Sequence, residues 1–170
     1  GLDDRAAHWR ERADRIRTVT LARAWREEAN RFSASFQSDY LDASLLLLAD
    51  IGFVASDDPR YVATVEAIGR ELWHGDGLFR STAPDDFGTP ETSFTICTFW
   101  YIEALETIGR REEARAMFER VLQRRIHLGL LSEDTAFEDG EAWGNFPQAY
   151  SHVGLVMAAM RLSRSWQEAT

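Results

Sequence analysis

Residues 130–152, LLSEDTAFEDGEAWGNFPQAYSH, hold the densest set of groups able to do chemistry in this 170-residue chain. Glu133, Asp134, Glu138, Asp139 and Glu141 stand beside Trp143, Asn145, Gln148, Tyr150 and His152. Carboxylates next to aromatic and amide side chains suit a sugar. An aromatic face stacks on the apolar face of a sugar ring, and the hydroxyls need fixed donors and acceptors. The same composition also fits solvated loop acids, with Trp143 or Tyr150 sealing a core. The acids do not follow the calcium-loop pattern, which needs a ladder of alternate ligands and a glycine at the sixth position. There is no His/Cys cluster for zinc, no Gly-rich phosphate loop and no Gly-x-Ser-x-Gly nucleophile elbow. The expectation is chemistry without a metal or cofactor.

Six helices must position these groups. Residues 4–24 carry Trp9, Ile16, Val19 and Leu21 at helical spacing. Residues 40–51 are apolar nearly all round, which predicts burial on most sides. Residues 58–73 begin at DDPR, with Asp57 or Asp58 as N-cap and Pro59 in the first turn. Residues 92–108 are again apolar and stop at Gly109. Residues 111–128 place Ala114, Met117, Phe118, Val121 and Leu122 on one face and end at Gly129. Residues 147–162 open with Pro147. Amphipathic and apolar helices therefore alternate, which predicts charged-faced helices outside and apolar ones inside. Leu41, Ser93 and Gln148 open the apolar members at intervals of about 52–55 residues, an internal repeat of helical hairpins. Such a toroid gathers the starts of its inner helices at one end, where a pocket would form. A tetratricopeptide-like scaffold has a shorter period, about 34 residues, and lacks long polar loops before buried helices.

Four motifs in order, YLDASLLLL, FTICTFWYIEAL, SED and GNFPQAYSH, resemble bacterial glycoside hydrolase family 15 over roughly Trp9 to Leu162. That family contains glucoamylases, related exo-acting α-glucosidases and some trehalases. The resemblance implies an all-α fold, an (α/α)6 toroid of which this chain, as a single domain, supplies the C-terminal half. It also implies an inverting mechanism, in which one carboxylic acid protonates the leaving oxygen and a second carboxylate deprotonates the attacking water. The family's general base lies in a Ser-Glu motif, here Ser132-Glu133. The alternative for Glu133 is a capping or solvated carboxylate. Arg80, in GLFRST, matches a family arginine that holds sugar hydroxyls; otherwise it is a surface charge paired with Asp85 or Asp86.

Gln37, Tyr40 and Asp42 open the first apolar helix and are expected at the same pocket, although Asp42 alone reads better as a helix cap. Glu91 sits where relatives often carry an acid in a Gly-rich turn, but here the turn is GTPETSF. Trp143, Asn145 and Tyr150 are expected to bind sugar or wall the pocket. His152, one turn inside the last helix, reads as structural.

Composition bounds the partners. The formal charge is −9, from 28 acidic and 19 basic residues, which disfavours nucleic acid and anionic membrane surfaces. No apolar run approaches the roughly 18–20 residues that span a bilayer, so a soluble chain is expected. The lone Cys97 lies in an apolar run and reads as packing, and low cysteine use points to the cytoplasm. The general acid of the family belongs to the earlier half, in a Trp- and Glu-rich loop without a counterpart here. The chain is thus expected to be a fragment, inactive alone, with the missing half or a second copy as partner and an α-glucoside or oligosaccharide as substrate. A non-catalytic helical scaffold or a carbohydrate-binding module derived from such an enzyme are the competing readings.

Overall fold

The computed structural model describes residues 2–83, 88 and 90–163. Its order is α1 (Asp3–Ala24), β1 (Trp25–Arg26), β2 (Arg31–Phe32), a 3-10 helix (Ala43–Leu48), α2 (Pro59–Glu71), β3 (Trp73–His74) and β4 (Gly77–Leu78). Then follow β5 (Thr92–Phe94), α3 (Thr95–Thr107), α4 (Arg111–Gln123), β6 (Asp134–Ala136), β7 (Ala142–Trp143) and α5 (Ala149–Leu162). The fold is mostly helical, with short strands only in the joints between helices.

α3 is the axis. Ile96, Cys97, Phe99, Ile102 and Leu105 are all buried, as a helix apolar on every side requires. Burial pushes the Cys97 thiol well above its ordinary value, so it serves as a small apolar filler. α2, the 3-10 helix, α4 and α5 surround α3. α5 comes close because Gly154 has no side chain: a Cβ there would lie 2.8 Å from both Ile96 Cδ1 and Phe99 Cδ2. A polar tie crosses this apolar seam. Glu103 on α3, only 7% exposed, lies 2.9 Å from Arg161 Nε on α5, off the hydrogen-bond axis, and Arg161 also pairs with Asp50 beyond the 3-10 helix.

Several element boundaries differ from the sequence expectation. Residues 40–51 do not form an α-helix. Asp42 is extended and bridges Ser81, which leaves only the six-residue 3-10 helix, whose N-cap is Asp42. Residues 92–94 form a strand, and α3 begins only at Thr95. α4 ends at Gln123 rather than near Gly129, because the chain folds into a tight turn in which Gly129 N donates to Ile126 O. α2 starts as read: Asp58 accepts from Arg60 N, and Pro59 follows it. Leu2, just before α1, and Trp9 and Ile16 along it are largely exposed, whereas Leu21 and Ala24 at its end pack against the core. No helix among these residues is long and apolar enough to cross a membrane.

Burial raises the Glu103 carboxyl from its ordinary 4.5 to about 7, against the pull of Arg161. A folded-state value above the unfolded one contributes stability that is complete below pH 4.5 and is lost as pH rises towards 7. Glu103→Gln is therefore expected to flatten the fall of unfolding midpoints across that window; an unchanged slope would contradict the assignment.

Candidate active site

The segment Leu131–Glu133 lies between the starts of α3 and α5. Glu133 O accepts from Thr95 N (2.9 Å), the first residue of α3, and Glu133 N donates to Asn145 O (3.0 Å). On the other side Gln148 N donates to Leu131 O (3.0 Å), and Ser151 Oγ donates to Ser132 O (2.8 Å). Both flanking helices thus fix the backbone that carries Glu133.

The side chain is fixed as well. Glu133 Oε2 accepts from the backbone N (2.9 Å) and the amide Nδ2 (2.7 Å) of Asn145, and Oε1 has no partner among the described residues. The neighbouring backbone permits this approach because residue 144 is glycine. Gly144 has φ +75°, and a Cβ there would stand 2.8 Å from Glu133 Oε2.

After Glu133 the chain enters a three-stranded antiparallel sheet, β5–β6–β7. Phe94 pairs with Asp134 and Asp134 with Trp143; one residue on, Ser93 pairs with Thr135 and Thr135 with Ala142. Side chains alternate across a strand, so the two rows face opposite sides. Ser93 and Thr135 are buried, while Thr92, Phe94, Asp134, Ala136 and Trp143 form one wall of an open cavity of about 1320 Å³. Arg80, Glu91, Glu133, Phe137, Glu138, Asp139 and Glu141 also line it. Arg80 is held by Asp42, whose two carboxylate oxygens each accept from its Nε at 3.0 Å. Asp42 Oδ1 also accepts from Ser44 N, so a single carboxylate caps the 3-10 helix and orients the guanidinium.

The structure therefore brings Glu133, Arg80, Glu91 and Trp143 to one cavity. Asn145 lies on the Glu133 carboxylate and Asp42 on Arg80, and neither lines the cavity itself. Gln37 and Tyr40 sit in the exposed loop before the 3-10 helix, away from the cavity lining. Tyr150 is 64% exposed on α5, on a face it shares with Val153, Met157 and Met160, also off the lining. Asp85 and Asp86, the partners considered for Arg80, lie outside the described residues. His152 places Nδ1 2.7 Å from Gln148 O, one turn back on its own helix.

Asp134, Phe94 and Phe137 are cavity groups outside the individually named site residues, although Asp134 belongs to the acids read as suiting a sugar. The signal for the first two was the alternation in Thr92–Phe94 and Asp134–Ala136, each only three residues long. Asp134 is also perturbed. Burial, then the neighbouring Glu133 charge, raise its carboxyl to about 6, against a hydrogen bond from the Thr92 side chain. Among the described residues no three His, Cys, Asp or Glu side chains converge as metal ligands.

The model of the family described as Glycosyl hydrolases family 15 matches residues 1–160. The chain belongs to glycoside hydrolase family 15. It is 36% identical over 166 residues to a trehalase of Thermoplasma volcanium, covering 97% of this chain and 27% of that protein. It is 39% identical over 168 residues to a trehalase of Mycolicibacterium smegmatis, covering 96% of this chain and 25% of the other. The chain thus spans about a quarter of the length of these curated relatives. A glycosidase variant solved in complex with glucose superposes with a TM-score of 0.78 at 20% identity, covering 92% of this chain and 44% of that one. That likeness shows the fold, a helical-toroid arrangement.

Loss of one charge-assisted hydrogen bond costs about 1.5–3 kcal/mol, less where water can replace it. Asn145→Ala is expected to lower stability by about 1 kcal/mol in denaturant unfolding. Asn145→Asp should cost more at pH 7 than at pH 3, because it sets a second carboxylate against Glu133. Equal effects of Asn145→Asp at both pH values would contradict the geometry.

Proposed function

We propose that this chain is the base-bearing part of an inverting glycoside hydrolase whose substrate is trehalose or a close α-glucoside, with Glu133 activating the attacking water. The observation that carries the reading is the Glu133 carboxylate at the cavity, pinned through Oε2 by two N–H donors while Oε1 has no partner among the described residues. A general base must be fixed in orientation and must keep one oxygen free for the water proton. The names of the similar curated proteins, trehalases over nearly the whole of this chain, support the substrate.

In this reaction Glu133 Oε1 takes a proton from a water as that water attacks the anomeric carbon from the β face. The glycosidic oxygen receives a proton from a carboxylic acid on the opposite side and leaves with the second sugar. Inverting pairs stand roughly 6.5–9.5 Å apart, so that the water fits between the base and the sugar. The acid belongs to the remainder of a longer protein, in which this chain forms the C-terminal half of the catalytic domain. The exposed apolar face of α5, with Val153, Val156, Met157 and Met160, fits such a covering half.

Arg80 holds substrate hydroxyls through its terminal amino groups, since Asp42 occupies Nε. Trp143 offers a ring face and Glu91 an acceptor. Asn145 and Asp42 position the groups that touch substrate. The remaining acids, Asp134, Glu138, Asp139 and Glu141, make the cavity negative, which suits an uncharged, hydroxyl-rich ligand better than an anionic one. The single free cysteine and its burial fit a reducing compartment such as the cytoplasm.

In the full-length enzyme, Glu133→Gln is expected to lower trehalose turnover about a thousand-fold while leaving trehalose binding largely intact. The 170-residue chain by itself should not hydrolyse trehalose or maltose. Near-normal turnover by Glu133→Gln, or hydrolysis by the isolated chain, would overturn the proposal.

A further inference from the structure

Two walls of the cavity come from parts of the chain that are far apart in sequence. Arg80 follows β4, and Glu133 with Asp134 opens the β6–β7 hairpin. A cluster of three rings joins them. The His74 and Phe79 rings lie 4.7 Å apart, Phe79 and Phe137 4.7 Å apart, and His74 and Phe137 6.0 Å apart, all edge-to-face. Phe79 immediately precedes Arg80. Phe137 is the first residue of the β6–β7 turn, whose backbone closes through Ala136 N to Glu141 O (3.0 Å) and Gly140 N to Ala136 O (3.2 Å).

That turn carries Glu138, Asp139 and Glu141 along the cavity edge, and Trp143 Nε1 donates to Glu141 Oε2 (3.1 Å). The hairpin tip beyond Ala136 is exposed at residues 138–141, so Phe137 is its half-buried attachment to the β3–β4 hairpin. Edge-to-face pairs of this kind are worth about 0.5–1.5 kcal/mol each beyond their burial. That is enough to hold one arrangement of a short hairpin that has little other packing.

We propose that the His74–Phe79–Phe137 cluster is a clasp that sets the Arg80 wall against the Glu133 hairpin, with Phe137 as a positioning residue for the sugar. The inference rests on the reading of this cavity as the glycoside site. Releasing the clasp lets the hairpin tip and Trp143 move away from Arg80. Glu133 itself stays in place, because Thr95 and Asn145 hold it independently. The loss therefore falls on substrate affinity more than on the chemical step.

The test is a double-mutant cycle in the full-length enzyme with trehalose as substrate, using Phe79→Ala, Phe137→Ala and the double variant. Each single variant is expected to raise KM about tenfold with kcat within about threefold, and the double variant should do no worse than either single one. Phe137→Tyr, which keeps the ring, should restore the original KM. Phe118→Ala, which removes a ring 6.3 Å from Phe99 and off the cavity lining, should lower the unfolding midpoint without raising KM. Calorimetric binding of trehalose to the same variants in the Glu133→Gln background gives a readout independent of turnover.

Three results would overturn the clasp: unchanged KM in both single variants, a raised KM for Phe137→Ala alone, or strictly additive effects. The second would mean that Phe137, which also lines the cavity, acts only by touching the sugar. None of these bears on Glu133, whose role stands or falls on the turnover of Glu133→Gln.

Discussion

The segment from Leu131 to Glu133 is held on both sides by helix starts, and the cavity inherits its geometry from that grip. An N–H at the start of α3 and the residues leading into α5 satisfy its backbone, and Asn145 returns from the same loop to hold the Glu133 carboxylate. A carboxylate on a free loop would sample many rotamers and satisfy both oxygens with water. Here the ordering cost is met by helices already fixed in the core, so one oxygen is held and the other has no partner among the described residues. The close packing of α3 and α5 at Gly154 therefore matters to the site as well as to stability. Any change in their separation moves the two anchors of Glu133 relative to each other.

The second cavity group is built on the same plan. Arg80 is oriented by Asp42, which also caps the 3-10 helix, so the guanidinium is tied to the start of another inner element. The two ties differ in kind. The Glu133 tie uses neutral amide donors and brings no opposite charge to the carboxylate. The Arg80 tie pairs opposite charges, so this wall adds little net positive charge to a cavity otherwise lined by acids. Asp134 is affected by this balance: its carboxyl, half-buried next to Glu133, is raised by burial and by that neighbouring charge.

Much of the helical frame was legible because its signals are local. Asp58–Pro59 marks a helix start by itself, and the apolar run from Thr95 to Leu105 can only be a buried helix at that length. The sheet was not legible, since three-residue strands have no period to detect, and Thr92–Phe94 runs without a break into the helix that follows. Residues 40–51 read as one apolar helix, but the bridge from Asp42 to Ser81 leaves only the 3-10 helix Ala43–Leu48. At the site, the family motif pointed to Glu133 and Arg80. Their holders were not readable in the same way: Asn145 lies 12 residues from Glu133 and Asp42 lies 38 from Arg80, contacts that only the packed helices create.

The proposed role of Glu133 is tested most directly by replacing the base with an external nucleophile that needs none. In the full-length enzyme carrying Glu133→Ala, azide should occupy the space of the lost carboxylate and attack α-glucosyl fluoride from the face where water normally enters. Proton NMR of the product is expected to show β-glucosyl azide, formed only in the variant. An α-configured azide, or hydrolysis by the variant at the original rate without azide, would contradict the assignment of Glu133 as the water-activating base.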